Sequence, residues 1–309
     1  MSTYIGIDLG KTRLRIGIFE FDLATTEVLS IRRRPAISTP LVDVESLTDA
    51  CIAGIRAAIA SVTSVDAVGI GAFGVVDPAS GSVLKGGSVE FWNGVPLASI
   101  IASGSGIPCY LIGDVAAAAF GHATQLHDPT DCFSLVQIGT SVGVGACGGH
   151  LNYSPDAPNF GQISRLSAPS GAAWGDTLGG KGFRLTASRS FGRPVQPREV
   201  FHMASHGDGR ALTLVEEYVG ALGDLCALLA VMHSPRRILV AGGMVNALRP
   251  LETQLQDSYR SRTASLWSAP ALELRSDKGM GEIGAARWAM KQHTARGPRG
   301  SDAGPGLAL

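Results

Sequence analysis

Four short stretches of this chain carry residue types that could do chemistry on a phosphate. Asp8-Leu9-Gly10-Lys11-Thr12 places a carboxylate at the end of an apolar run, beside a turn whose backbone amides and Thr12 hydroxyl could face phosphate oxygens. An aspartate cannot bind those oxygens itself, but it can hold a magnesium ion that does. Gly139-Thr140-Ser141 supplies a second turn of the same kind. Gly242-Gly243 ends a third apolar run and permits close backbone approach, either of a nucleoside or of a packed helix. Asp114 stands after the apolar run 107–112 and before an alanine-rich stretch, where a carboxylate serves as a general base or as a helix cap. An ordinary hairpin with incidental polar residues is the alternative reading of both turns.

Several other patterns fail on inspection. Gly10-Lys11-Thr12 ends like a P-loop, but Ile5 stands where that motif needs its first glycine, and the segment continues as a strand. Gly69-x-Gly71-x-x-Gly74 and Gly143-x-Gly145-x-x-Gly148 match the dinucleotide fingerprint in letters, yet both lead into turns and strands where a helix is required. His202 and His206 have metal-ligand spacing without a third ligand, so they read as two exposed histidines. Arg32-Arg33-Arg34 is the one short basic run, and it reads as a solvated turn end.

The elements that must position these residues follow from periodicity. Residues 4–22 read as two strands joined by a glycine turn. Residues 45–62 put Leu47, Cys51, Ile52, Ile55, Ile59 and Val62 on one helical face. Strands follow over 65–74 and 107–112, then a helix over 115–123, which is an α/β alternation. A second strand–turn–strand runs over 133–149, and an offset of 129 lays it on the first with Gly10 on Gly139, Thr12 on Ser141 and Leu9 on Ile138. Two such hairpins point to a duplicated domain. A long helix over 211–233, a strand ending at Gly242-Gly243 and a last helix over 281–291 complete the order, before a Gly-, Pro- and Ala-rich tail, 294–309, expected to be disordered.

Composition bounds the function classes. A chain of 309 residues is long enough for two domains with real cores. Its 26 basic and 26 acidic side chains balance, so no charge surplus favours nucleic acid or an anionic membrane. Five scattered cysteines without a Cys-x-x-Cys pair read as reduced thiols of a cytoplasmic protein. No basic, apolar leader precedes the first strand, and the most apolar helix is broken by Glu216, Glu217 and Asp224, so neither a signal peptide nor a membrane span is expected.

Taken in order, these stretches resemble the ROK family (repressor, open reading frame, kinase) of the actin-like sugar kinase superfamily. The resemblance runs over about residues 4–291 and is carried by IGIDLGKT, GIGAFGVVDPASGSV, FWNGVPL, IPCYLIGDVAAAAFG, QIGTSVGVG, ILVAGGMV and EIGAA. It implies a two-lobed actin-like ATPase (ribonuclease H-like) α/β fold with duplicated domains and a central cleft. The implied lobes are 1–114, joined by the C-terminal helix 281–292, and 115–280. The implied cofactors are ATP and Mg2+. Asp114 matches the family's catalytic aspartate; Asp8 would help hold magnesium, and Gly10, Lys11, Thr12, Gly139, Thr140 and Ser141 would contact phosphate, with Ser141 standing where the family usually has glycine. Gly242 and Gly243 would lie against the nucleoside, and Gly74, Ser88, Asn93, Gly113 and Gln162 on the sugar side. Family regulators carry a DNA-binding extension before the first strand; here that strand starts at residue 4, which fits the kinase branch. The resemblance also implies a homodimer, and the balanced charge implies no nucleic acid partner.

Departures concentrate on the sugar side. Ser88, before Trp92, and Gly113, before Asp114, stand where the family commonly has asparagine. Gln162 stands for the sugar-binding glutamate, while Ser164 and Arg165 flank the place of the histidine that binds sugar and zinc. Residues 166–201 contain neither Cys nor His, so no zinc site is expected. Each lost hydrogen bond to a sugar hydroxyl costs about 1–3 kcal/mol. The expected function is therefore ATP-dependent phosphorylation of a sugar or sugar-like hydroxyl, with a non-catalytic ligand-binding sensor as the alternative. Retention of Asp8 and Asp114 favours the first; the eroded sugar motif, Lys11 and Ser141 favour the second.

Overall fold

The N-terminal apolar run folds as an antiparallel hairpin of β1 (Ser2–Leu9) and β2 (Arg13–Phe21), closed with Leu9 opposite Leu14. The computed structural model describes residues 1–125, 131–148 and 159–296. On the outer side of β2 lie β3 (Val28–Arg33) and the two-residue β4 (Ile37–Ser38). Arg32 and Arg33 thus belong to an edge strand and not to a turn end. Arg32 reaches Glu20 and the Ser61 carbonyl, Arg34 donates to the Ala57 carbonyl, and Arg33 lies over the Phe19 ring. Arginines along a free edge also discourage pairing with a second chain.

The helix over 45–62 forms as α1 (Val44–Ile59), begun by Asp43, whose side chain accepts from the Ser46 amide. Its buried stripe, Leu47, Cys51 and Ile55, packs with Ile5, Ile7 and Leu9 of β1. β5 (Ala67–Ala72) is buried throughout and pairs parallel with β1. Beyond it come the small hairpin of β6 (Val75–Asp77) and β7 (Ser82–Lys85), a 3-10 turn over Glu90–Trp92 and α2 (Leu97–Ser105). β8 (Cys109–Gly113) pairs parallel with β5, completing the order β3-β2-β1-β5-β8, and runs directly into α3 (Asp114–Ala123).

The second half repeats this plan. β9 (Phe133–Ile138) and β10 (Val142–Cys147) form a hairpin. Four helices follow: α4 (Trp174–Leu178), α5 (Gly180–Phe191), α6 (Pro197–Ser205) and α7 (Gly209–His233). Then come β11 (Arg237–Ala241), α8 (Val245–Leu248), α9 (Glu252–Thr263) and β12 (Ala271–Leu274). β11 is parallel to both β9 and β12 in the order β10-β9-β11-β12. The two hairpins differ by one residue in the turn, since Leu9 faces Leu14 whereas Ile138 faces Val142. Ser141 therefore takes the place of Arg13, directly before the closing pair, and not that of Thr12.

Between the sheets, α3 and α10 (Met280–Arg296) cross in close contact, and α10 also lies on β1 and β5. Glycine makes this approach possible: a Cβ on Gly284 would collide with the Ala117 carbonyl, and one on Gly69 with the Ala285 carbonyl. Thus the Gly69-Gly71 pair serves packing. The last helix also outruns its expected end. Thr294 to Arg296 are helical, with the Thr294 hydroxyl donating to the Met290 carbonyl over 2.8 Å, and helix-forming Ala295 extends the turn. The rest of the expected tail, 297–309, lies outside the described residues. Among the described residues no helix is long and apolar enough to cross a membrane.

Candidate active site

β1, β5 and β8 run in one direction, so their carboxyl ends share an edge, and residues placed there can converge on one ligand. Asp114 stands at the end of β8 as the first residue of α3, and Gly113 is the N-cap. One Asp114 carboxylate oxygen accepts the Val115 amide over 2.9 Å. The group therefore does part of a cap's work without occupying the cap position. Burial pushes its carboxyl up to about 6, against the opposing pull of the Val115 amide and the Lys11 ammonium. A carboxylate with that value is ionised at neutral pH and basic enough to accept a proton.

Lys11 does not fold back over its own turn. Its ammonium lies 5.7 Å from the centre of the Phe73 ring and 3.5 Å from the Ser88 hydroxyl. Burial lowers the Lys11 pKa, Asp114 opposes that, and Lys181 and Arg165 add to it. Phe73 follows Ala72 and Asp114 follows Gly113, the residue paired with Ala72, so Asp114 and the ring under Lys11 leave neighbouring strand ends.

Asp8 is partnered in a way its motif does not announce. Arg15 stands opposite it across the hairpin and donates to its carboxylate over 2.6 Å, with 17% of the Asp8 side chain exposed. Even so, burial pushes Asp8 up to about 7; Arg15 pulls it down, and Glu282 and Asp114 push it further up. Glu282, at 3% exposed, is a buried carboxylate beside it. A carboxylate in such surroundings gains from a further cation. One carboxylate oxygen plus substrate phosphates is the set Mg2+ accepts, so Asp8 fits a magnesium delivered with a nucleotide.

The phosphate turns differ from expectation in their donors. The Gly10 amide is spent on the Arg13 carbonyl at 3.0 Å and the Gly139 amide on the Ser141 carbonyl at 2.9 Å, because each closes its own turn. Gly10 and Gly139 shape the turns, and the side chains of Thr12, Arg13, Thr140 and Ser141 are exposed on them. The start of α5 docks on the second turn, where the Gly180 amide donates to the Gly139 carbonyl at 2.9 Å and the Lys181 amide to the Thr140 carbonyl at 3.1 Å. Gly242, at φ 104°, is pressed against the Ile138 backbone, so its close approach is to β9; around Gly243 a Cβ would meet open space.

On the remaining side, Gln162 donates to the Gly74 carbonyl over 3.3 Å, tying the segment before the 3-10 turn Ile163–Arg165 to the end of β5. Two residues placed on the sugar side are thereby brought together. Asn93 is used differently: its side-chain oxygen accepts the Gly86 amide at 2.8 Å and fixes the loop that carries Ser88. Among the described residues no group of three or more His, Cys, Asp and Glu side chains could hold a metal ion. His202 and His206 are exposed and stack on each other, their ring centres 4.3 Å apart.

Sequence reasoning missed Arg15, Lys181 and Glu282. The hairpin itself held the signal for Arg15: a turn closed by Leu9 and Leu14 pairs Asp8 with Arg15. Lys181 and Glu282 carried no local signal.

An N-acetylmannosamine kinase of Yersinia pestis (strain Pestoides F) is 25% identical over 313 residues, covering 94% of this chain and 99% of that protein. A ROK hexokinase from Thermus thermophilus superposes with a TM-score of 0.78 at 24% identity, over 95% of this chain and 99% of that one. A ROK glucokinase from Streptomyces griseus, solved with glucose and AMPPNP, gives 0.74 at 22% identity, over 94% and 100% of the two chains. Both superpositions establish the two-lobed fold. The sequence profile of the ROK family matches residues 4–292, from the first strand through most of α10, and the chain belongs to that family.

Proposed function

We propose that this chain is an ATP-dependent sugar kinase in which Asp114 is the general base. The observation that carries the reading is the Asp114 carboxylate itself, held at the end of β8 by the Val115 amide, pushed up to about 6 and faced by the Lys11 ammonium. The kinase relative aligned over nearly the whole chain supports the reaction class.

In this reading the acceptor hydroxyl hydrogen-bonds to the Asp114 oxygen that does not hold the Val115 amide. As the hydroxyl oxygen attacks the γ-phosphorus, its proton passes to Asp114 and the bond from phosphorus to the ADP oxygen breaks. Asp8 would hold the magnesium of Mg-ATP, whose charge would offset that of the phosphates. Thr12, Thr140 and Ser141 donate to phosphate oxygens from turns shaped by Gly10 and Gly139. Lys11 compensates charge between donor and acceptor, and Gly242-Gly243 borders the nucleoside. Gly74, Ser88, Asn93, Gly113 and Gln162 form the acceptor wall. Closure of the two lobes, 1–114 and 115–280, would exclude water as a competing acceptor.

The test is ADP release with Mg-ATP across hexoses, N-acetylated hexosamines, uronic acids and polyols, for the native chain and Asp114→Asn. Acceptor-dependent release that falls at least 100-fold in the variant (on the order of general-base contributions) is expected. Sugar binding without release for any acceptor would overturn the reading in favour of a sensor.

A further inference from the structure

Cations stand beside the acceptor wall. Lys11 comes from the first hairpin turn, Arg165 from the 3-10 turn Ile163–Arg165 and Lys181 from the first turn of α5, and the charges of Arg165 and Lys181 both act on Lys11. Asp114 is the carboxylate that acts on Lys11.

Contacts place the Lys11 ammonium on the acceptor side and bring the turn that carries Arg165 to the same side. Lys11 lies over Phe73 and against the Ser88 hydroxyl. Gln162 is bound to the Gly74 carbonyl, which brings the adjoining Arg165 turn to the same Phe73–Gly74 corner. The neighbouring polar groups, Gln162, Ser88 and Asn93, are uncharged. Like charges near one another repel, and an anion bound between them is attracted to both.

We propose that the acceptor carries its own anionic group, a carboxylate or a phosphate, and that Arg165 and Lys11 clamp it while Asp114 faces the hydroxyl. This rests on the kinase reading above and narrows it to acidic or phosphorylated sugars. An arginine can meet either oxyanion with two parallel hydrogen bonds, and a neutral hexose offers neither cation an oxyanion.

The test is calorimetric titration of the full chain at low salt with matched probes: glucose against glucuronate, and glucose against glucose 6-phosphate. At least one acidic member should bind about tenfold or more tightly than glucose, as loss of a charge-assisted contact implies. The preference should shrink in Arg165→Gln and with added salt. A parallel titration with Mg-AMPPNP separates the two sources of anion. If Arg165→Gln weakens AMPPNP and leaves the acid-to-neutral ratio unchanged, the cations serve the donor and the proposal fails. Equal affinity for glucose and both acids, or no binding of any, also overturns it. Acid preference without ADP release would leave this inference standing and remove the kinase reading alone.

Discussion

Arg15 and Asp8 face each other across the β1–β2 hairpin, and the guanidinium donates to the carboxylate over 2.6 Å at the place where a magnesium-bearing nucleotide would dock. Because the pair is fixed by strand register, Arg15 is the local counter-charge that keeps Asp8 ionisable. Burial and the carboxylates of Glu282 and Asp114 all work the other way, and the balance lies at about 7.

Replacing Arg15 by Met therefore raises the Asp8 pKa further. At pH 7 a larger share of Asp8 is protonated and cannot meet Mg2+, so more magnesium is needed for half-maximal activity. At pH 9 a larger share of Asp8 is ionised in both proteins and the gap narrows. Magnesium activation curves at the two pH values check this; an equal gap at both would mean that Arg15 acts on the phosphates and not through Asp8.

The rate should report Asp114 directly. With saturating Mg-ATP, kcat falls as pH drops through about 6, where the base takes up its proton. The Lys11 ammonium favours the ionised form, so Lys11→Gln moves that acid limb to higher pH. A pH profile in which the limb stays in place while the rate drops would assign Lys11 to phosphate alone.

The same carboxylate should burden the fold. Asp114 stands at about 6 in the folded chain, against ~3.9 for an exposed aspartate. Between these values the folded chain holds a proton that the unfolded chain has released, so this group makes stability fall as pH rises. Above pH 7 the cost is fully present, on the order of 1–3 kcal/mol. Asp114→Asn should therefore unfold at higher denaturant than the native protein at pH 8 and at nearly the same denaturant at pH 4. Equal midpoints at pH 8 would mean that the native environment already compensates the charge.

Much of this architecture was legible in the chain because it is written locally. The hairpins announce themselves through apolar runs broken by Gly10 and Gly139, and Asp114 through its position between an apolar strand and an alanine-rich helix. What stayed hidden depends on contacts between distant segments. The stretch LASIIASGS is too short and too uniformly apolar for its period to separate the helix α2 from a strand. Gln162 finds Gly74 across 88 positions of sequence, and Lys11 reaches Ser88 across 77. The spending of the Gly10 and Gly139 amides within their own turns is likewise invisible without coordinates.

Glycine provides the sharpest separation between fold and site. Gly284 lies where α10 crosses α3, and a Cβ there would run into the Ala117 carbonyl, a backbone atom that can yield only if the helices part. Gly284→Ala should thus destabilise the chain by about 2 kcal/mol or more, as overpacking of a rigid contact does. Gly139 lies at the tip of the second turn with open space around its Cβ position, and its φ is not positive. Gly139→Ala should leave the urea midpoint unchanged, yet its methyl projects into the space the phosphates would fill and should raise the KM for ATP. Measured side by side, an undisturbed KM in Gly139→Ala would move the phosphates away from that turn. An undisturbed midpoint in Gly284→Ala would show that α3 and α10 can separate at little cost.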